Sequence, residues 1–234
     1  MVVMELIPRL APLGISDAFA LGILIIAFFS IGWLVENPPK DRPSMSILLA
    51  SYRRDWMREF VTRQQKIFDA TVITSLRQAT SFFISGTMLS IGGCIALVGN
   101  PDRLVLVAED LTVSAQAVVV EVKVILVILF LANAFLKFIW SHRLFGYCAV
   151  LMGSVPNDDS PLAFHRASQA ADVNVTAARS YNRGLRSIYF ALASLGWLLG
   201  PWTLIIATIV TSITLLRREF MSHSRVAVLD REGV

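Results

Sequence analysis

A short polar stripe interrupts an apolar stretch of the chain. Asn133 and Lys137 are four residues apart, and Ser141 follows after four more. Residues at this spacing share one face of a helix, and ionisable groups inside an apolar helix mark sites for ions or polar solutes. Lys137 can instead extend its ammonium group to the helix end, or pair with Glu59 or Asp69. The stripe indicates a polar path, with helix anchoring as the alternative.

A set of arginines recurs further along the chain. Arg179, Arg183 and Arg186 are spaced i, i+4 and i+7, with Asn182 beside them. Guanidinium groups bind phosphate and other anions through paired hydrogen bonds. This face therefore predicts contacts with lipid headgroups or with a diffusing anion. Interfacial anchoring, with ion pairs to Asp172 or to acidic residues of the first cytoplasmic helix, is the alternative.

Two further arginines extend this positive charge. Arg77 and Arg143 adjoin the ends of apolar stretches, so we expect them at a similar depth to the arginine face. A ring of positive charge at the cytoplasmic mouth of a symmetric oligomer would select anions.

Residues suited to catalysis or to metal binding are few. His142, His165 and His223 are far apart, and neither Cys94 nor Cys148 belongs to a metal-binding pair. Structural zinc sites and c-type haem sites have short ligand spacings that are absent here. We therefore predict a protein that is not an enzyme and has no catalytic residues, metal or cofactor.

The elements that must position these residues are apolar helices. Hydrophobic residues make up 55% of the 234 residues and charged residues 16%. Four apolar stretches are long enough to cross a bilayer: 18–35, 79–98, 120–142 and 187–216. The sequence predicts an all-α fold, an integral membrane bundle of four long helices that extend beyond the bilayer on the cytoplasmic side.

Polar helical segments connect the spans within a single membrane domain, 1–234. The cytoplasmic extensions are predicted over 44–78 and 143–186. From Met45, apolar residues recur on one face, which predicts an amphipathic helix lying at the membrane surface or packing on neighbouring helices. Trp33, Tyr52, Trp56 and Trp140 are predicted interfacial anchors, since aromatic residues favour headgroup depth.

Basic residues are distributed unevenly between the spans. The segment 36–78 carries eight Lys and Arg and the segment 141–186 carries five, against Arg9 before the first span and Arg103 and Lys123 in 99–123. Basic residues concentrate in cytoplasmic loops. We therefore expect a multi-pass protein of the cell (inner) membrane, with the N-terminus outside and the larger loops cytoplasmic.

The last apolar stretch conflicts with this orientation. A fourth full crossing would place the residues after it outside, although they begin with Arg217 and Arg218. The stretch is 30 residues long and contains Gly200-Pro201 near its middle. It predicts either one kinked span or a hairpin that returns to the cytoplasm, and we favour the kinked span.

Several local patterns resemble a known family. They are YRRDWM at 52–57, LRQATSFF at 76–83, FLKFIWSHR at 135–143, YNRGLRSIYF at 181–190 and RREF at 217–220. Together they resemble an uncharacterised integral membrane family of bacteria and plants, domain of unknown function number 599, over about residues 20–220. The resemblance implies a multi-span membrane protein and supplies no activity, substrate or cofactor.

Two functions fit these features. The first is a homo-oligomeric pore or transporter for an anion or a small polar solute. The second is an accessory or assembly subunit of a larger membrane complex. The expected partners are the lipid bilayer and either a second copy or another membrane protein. Nucleic acid is not expected, because the basic residues flank the spans and form no stripe interleaved with aromatics.

Overall fold

A computed structural model describes residues 13–100 and 117–229, and every regular element in them is a helix. The predicted all-α fold is therefore confirmed for this part of the chain. In chain order the helices are α1 Ile15–Glu36, α2 Met45–Thr62, α3 Ile67–Val98, α4 Ala117–Gly153, α5 Pro161–Leu195, α6 Pro201–Phe220 and α7 His223–Leu229, with a 3-10 turn at Gly196–Leu199 between α5 and α6. The sequence also predicts that the third long helix runs from about Leu104 to near Leu151, and the first part of that range lies outside the described residues.

Polar caps and a proline fix where α2 and α5 begin. Ser44 precedes α2, and its Oγ accepts a hydrogen bond from Ile47 N while donating one to Val35 O at 2.8 Å. Ser160 precedes α5 and accepts from Ala163 N. A hydroxyl at this position satisfies a backbone donor that the first turn leaves unpaired, and a proline at the first helical residue, as Pro161, costs no hydrogen bond.

Three helices are long and apolar enough to cross a membrane by length and composition. They are Ile15–Glu36, Ile67–Val98 and Val119–Gly153. They contain the first three predicted spans, so the molecule has the helices of a membrane protein.

The fourth apolar stretch is not one helix, and the favoured kinked span is wrong. A Cβ on Gly196 would lie 3.2 Å from Cβ of Ala207, although eleven residues of continuous helix would separate them by about 16 Å. The chain therefore reverses direction between α5 and α6. Gly200 makes the turn with φ +120°, a conformation that favours glycine, and Pro201 starts α6. Of the two alternatives, the hairpin gives the correct chain direction for this stretch.

The described residues divide into two compact units, and α1, α3, α4, α5 and α6 each contribute to both. Unit 1 comprises the described residues of Met1–Trp33, Thr87–Ala134 and Leu185–Leu215. Its centre is aromatic, since the ring of Phe28 lies 5.2 Å from that of Phe130 and 5.3 Å from that of Phe190, both edge to face. Such pairs stabilise a core beyond the area they bury.

Unit 2 comprises the described residues of Leu34–Gly86, Phe135–Gly184 and Leu216–Val234. Its core joins Met57 and Phe60 of α2 with Ile73 of α3, Met152 of α4 and a row of buried alanines on α5: Ala163, Ala167, Ala170 and Ala171. Part of the apolar face of α2 thus packs on neighbouring helices, as one of the two alternatives predicts. Leu49 and Tyr52 on that helix remain exposed.

Unit 2 also gathers the basic segments. It contains 36–78, most of 141–186, and Arg217 and Arg218 after the hairpin. Asn182 of α5 donates to Ser46 Oγ, and Ser46 N and Oγ donate to Glu219 of α6, so both arms of the hairpin meet α2. The conflict between the last stretch and the charge distribution depended on a fourth single crossing, and the reversal removes it.

One glycine allows a close helix approach in unit 2. A Cβ on Gly184 of α5 would lie 2.7 Å from one ring carbon of Phe138 and 2.9 Å from two others. Phe138 is fully buried, and its ring stacks on Phe83 at 5.1 Å and contacts Tyr181 at 5.5 Å. Only a residue without a side chain fits here.

Candidate functional site

The polar stripe of α4 faces α5. In unit 1, Asn133 Nδ2 donates to Ser187 Oγ at 2.6 Å. In unit 2, Ser141 is fully buried and donates to Ala177 O at 2.8 Å, while the backbone carbonyl of Lys137 accepts from Ser180 Oγ at 2.9 Å. These groups hold helices together, which polar residues commonly do inside membranes.

The arginine face of α5 is divided among different environments. Arg183 binds Glu36 through two hydrogen bonds, and this carboxylate raises the pKa of Arg183. Arg179 is exposed. Arg186 belongs to unit 1 and is 8% exposed. Asp172, one expected partner of this face, instead binds Arg54.

The two outer arginines also differ. Arg143 is exposed, donates to Tyr147 Oη at 2.9 Å, and lies over the Tyr147 and Trp140 rings at 5.9 Å. Such contacts fix a guanidinium beside aromatic faces. Arg77 lines a pocket described below.

The four aromatic residues predicted as anchors fall into two groups. Trp33 and Trp140 are exposed, and so is Tyr52, whose hydroxyl donates to Val228 O. Trp56 is half-buried, and its Nε1 donates to Asp69 Oδ1 at 2.6 Å.

A buried carboxylate is the clearest feature that the sequence did not indicate. Asp69 is fully buried in the first turn of α3 and accepts hydrogen bonds from Trp56 and Arg63. Negative charge at a helix N-terminus is favourable, and this position was the available signal. Asp69 forms its ion pair with Arg63, so the pairing with Lys137 considered from the sequence is wrong.

Two further polar clusters were not anticipated. In unit 2, Arg53 donates to Asn174 Oδ1, and burial lowers the pKa of Arg53. In unit 1, Trp197 Nε1 donates to Asp17 Oδ1 at 2.7 Å, and Nζ of the buried Lys123 lies 5.8 Å from the Trp197 ring. Both clusters join residues more than 70 positions apart, so local spacing could not reveal them.

Unit 2 contains a pocket of about 370 Å³ with a mixed lining. Its polar lining residues are Lys66, Thr74, Arg77 and Asn157, and its apolar ones include Phe60, Ile73, Met152 and Val155. Lys66 Nζ donates to Asn157 Oδ1 at 2.9 Å and lies 4.7 Å from the Phe60 ring. Two basic side chains and no acidic one line the pocket, so it suits a negatively charged group.

The described part of the chain contains no group of side chains suited to bind a metal ion. No three His, Cys, Asp or Glu side chains there are grouped as metal ligands. Cys94 and Cys148 are both free thiols.

The comparison with known families identifies the chain. Residues 19–224 match the model of the family described as "Protein of unknown function, DUF599". The chain therefore belongs to this family, and the resemblance drawn from the local patterns is confirmed. Neither a curated protein nor a solved structure matches the chain.

Proposed function

We propose that this member of the DUF599 family is a non-enzymatic accessory or assembly subunit that associates with another membrane protein through α3. The observation that carries the proposal is the high exposure of the apolar residues of this helix. Only 6% of its apolar window is buried, against 22% for α1 and 44% for the Val119–Gly153 segment of α4. Such a helix is available for contact within the bilayer.

The residues of α3 suit helix association. A Cβ on Gly86, Gly92 or Gly93 would meet nothing within 4 Å. Association inside a bilayer depends on close packing, and small residues permit that approach. The polar stripe of α4 supports the same proposal, because its hydrogen bonds to α5 are used within the chain. The exposed surface of α3 then remains as the place where a partner helix packs.

Purification tests the association. The full chain is extracted from its host membrane in a mild detergent, and co-purifying proteins are quantified by mass spectrometry. We expect a foreign membrane subunit at fixed stoichiometry, reduced severalfold by Gly92→Leu because the new side chain separates the helices. Gly22→Leu on α1 is the matched control, since its Cβ also meets open space. A partner retained equally by both variants, or no stoichiometric partner, refutes the proposal.

A homo-oligomeric pore or transporter for an anion or a small polar solute is the second candidate. Arg77, Arg143 and Arg179 favour it, because all three are exposed and a ring of such charges in an oligomer would select anions. A symmetric oligomer of this chain alone would support it. If Lys137 and Arg186 line a path, Lys137→Met and Arg186→Met change flux in liposomes while the oligomer stays intact.

A further inference from the structure

The pocket of unit 2 combines two kinds of surface. On its apolar side, Phe60, Ile73 and Met152 are buried members of the unit 2 core. On its polar side, Lys66 and Arg77 supply positive charge. A cavity with an apolar wall and a few convergent polar groups is the usual form of a small-molecule site.

Lys66 is held in position. Its ammonium group has three donors, of which Asn157 accepts one, and the Phe60 ring lies beside it at 4.7 Å. Neither of two nearby carboxylates lines the pocket: Asp69 is fully buried and binds Arg63 and Trp56 through Oδ1, and Asp158 accepts from Ser160 N. The lysine can therefore direct a donor to an anion without a lining carboxylate competing for it.

Arg77 lies at the other end of the polar side. It is eleven residues after Lys66, about 16 Å along the helix, and two residues before the apolar stretch that begins at Ala79. A basic residue at this level of a membrane helix meets lipid headgroups. The pocket therefore runs along α3 towards the level at which the helix becomes wholly apolar.

We infer that this pocket binds an anionic amphiphile. Its phosphate or carboxylate binds Lys66 beside Asn157, and its apolar chain contacts Phe60, Ile73 and Met152. An acidic phospholipid of the bilayer and a soluble fatty-acyl anion share this chemistry. The inference does not depend on the association proposed for α3.

Native mass spectrometry of the full chain tests the inference. The protein is held in a neutral detergent with equal amounts of phosphatidylglycerol and phosphatidylcholine that carry the same acyl chains. We expect phosphatidylglycerol to be retained about tenfold more strongly, because phosphatidylcholine carries the same phosphate but adds a choline cation, which Lys66 and Arg77 repel. Lys66→Met should remove the preference, and Lys40→Met, at an exposed lysine outside the pocket, should not.

A second variant fills the pocket without changing charge. Gly153 lines it, and a Cβ there would meet nothing within 4 Å, so Gly153→Leu should displace the lipid without disturbing the core. Gly32→Leu on α1, also in open space, is the control. Variants are compared only when their elution volume and helix content match the wild type, and Lys66→Gln replaces Lys66→Met if that variant fails.

The soluble source is tested by competition. If dodecanoate displaces phosphatidylglycerol from the wild type but not from Lys66→Met, the inference is supported and the ligand is a soluble fatty-acyl anion. If phosphatidylglycerol binds and dodecanoate does not displace it, the inference is supported and the ligand comes from the bilayer. Equal retention of the two lipids, or a preference that survives both Lys66→Met and Gly153→Leu, overturns the inference. Displacement by inorganic phosphate alone also overturns it, because the apolar wall would then contribute nothing.

Discussion

Gly184→Ala tests the close approach of α5 to Phe138. The new Cβ would lie within 2.9 Å of three carbons of a fully buried ring. Phe138 cannot move away freely, because Phe83 stacks on it and Tyr181 lies beside it. Either the ring leaves its rotamer or the two helices separate.

The magnitude follows from two opposed effects. Overpacking of a filled core costs about 1–3 kcal/mol, and a contact this short with a confined ring belongs at the upper end. Replacing glycine by alanine inside a helix returns about 1 kcal/mol. We therefore expect Gly184→Ala to lower the free energy of unfolding by about 2 kcal/mol, or the melting temperature by about 4–8 °C for a chain of this size.

Thermal unfolding in detergent, followed by circular dichroism at one scan rate, measures the effect. Gly146→Ala on α4 is the control, since its Cβ meets nothing within 4 Å and only the helix-propensity gain remains. Gly184→Ala combined with Phe138→Leu should recover part of the loss, because the smaller side chain relieves the contact. A Gly184→Ala protein as stable as Gly146→Ala would refute the reasoning.

Three further predictions follow from contacts in unit 2. Asp69→Asn should lower the free energy of unfolding by about 2 kcal/mol, because the buried carboxylate loses a charged hydrogen bond while Arg63 stays partly exposed to solvent. Urea unfolding measures it, and an unchanged midpoint contradicts it. Hydrogen bonds from Ser160 lower the pKa of Asp158 below 3.8, so this carboxylate stabilises the fold above that pH and loses its effect as the pH falls through the lowered pKa. Asp158→Ala should therefore lower the melting temperature at pH 7, and the difference should shrink as the pH falls below 3.8; a difference independent of pH contradicts this. Arg179→Cys and Arg217→Cys, on the two arms of the hairpin, should react with a membrane-impermeant maleimide from the same side, whereas labelling from opposite sides would restore a fourth single crossing.

Helix content, caps and prolines were predictable because each depends on residues within one or two turns. Ser44 and Ser160 begin α2 and α5 as their side chains require, and the helix predicted from Met45 begins there in the structure. The family was likewise readable from local patterns. These signals lie in the sequence itself and need no tertiary contact.

The hairpin and the polar pairings were harder to predict from the sequence. Mean hydropathy is summed over a window, so the value for 187–216 is the same whether the chain continues or reverses direction. The reversal depends instead on the positive φ of Gly200 and on the close approach of Gly196 to Ala207. The basic residues after the stretch were the better signal, because they favoured a return to the cytoplasmic side. Asn133 and Ser141 showed the right face of α4, but only tertiary structure shows that α5 occupies it.

The bond between Ser46 and Glu219 sets an order of events during synthesis. The two residues are 173 positions apart, so a ribosome working at about 5–20 residues per second makes the acceptor roughly 10–35 seconds after the donor. Until then α2 has neither its Glu219 partner nor the Val228 carbonyl that Tyr52 binds. Helix α2 thus waits for a segment translated much later before these contacts are complete.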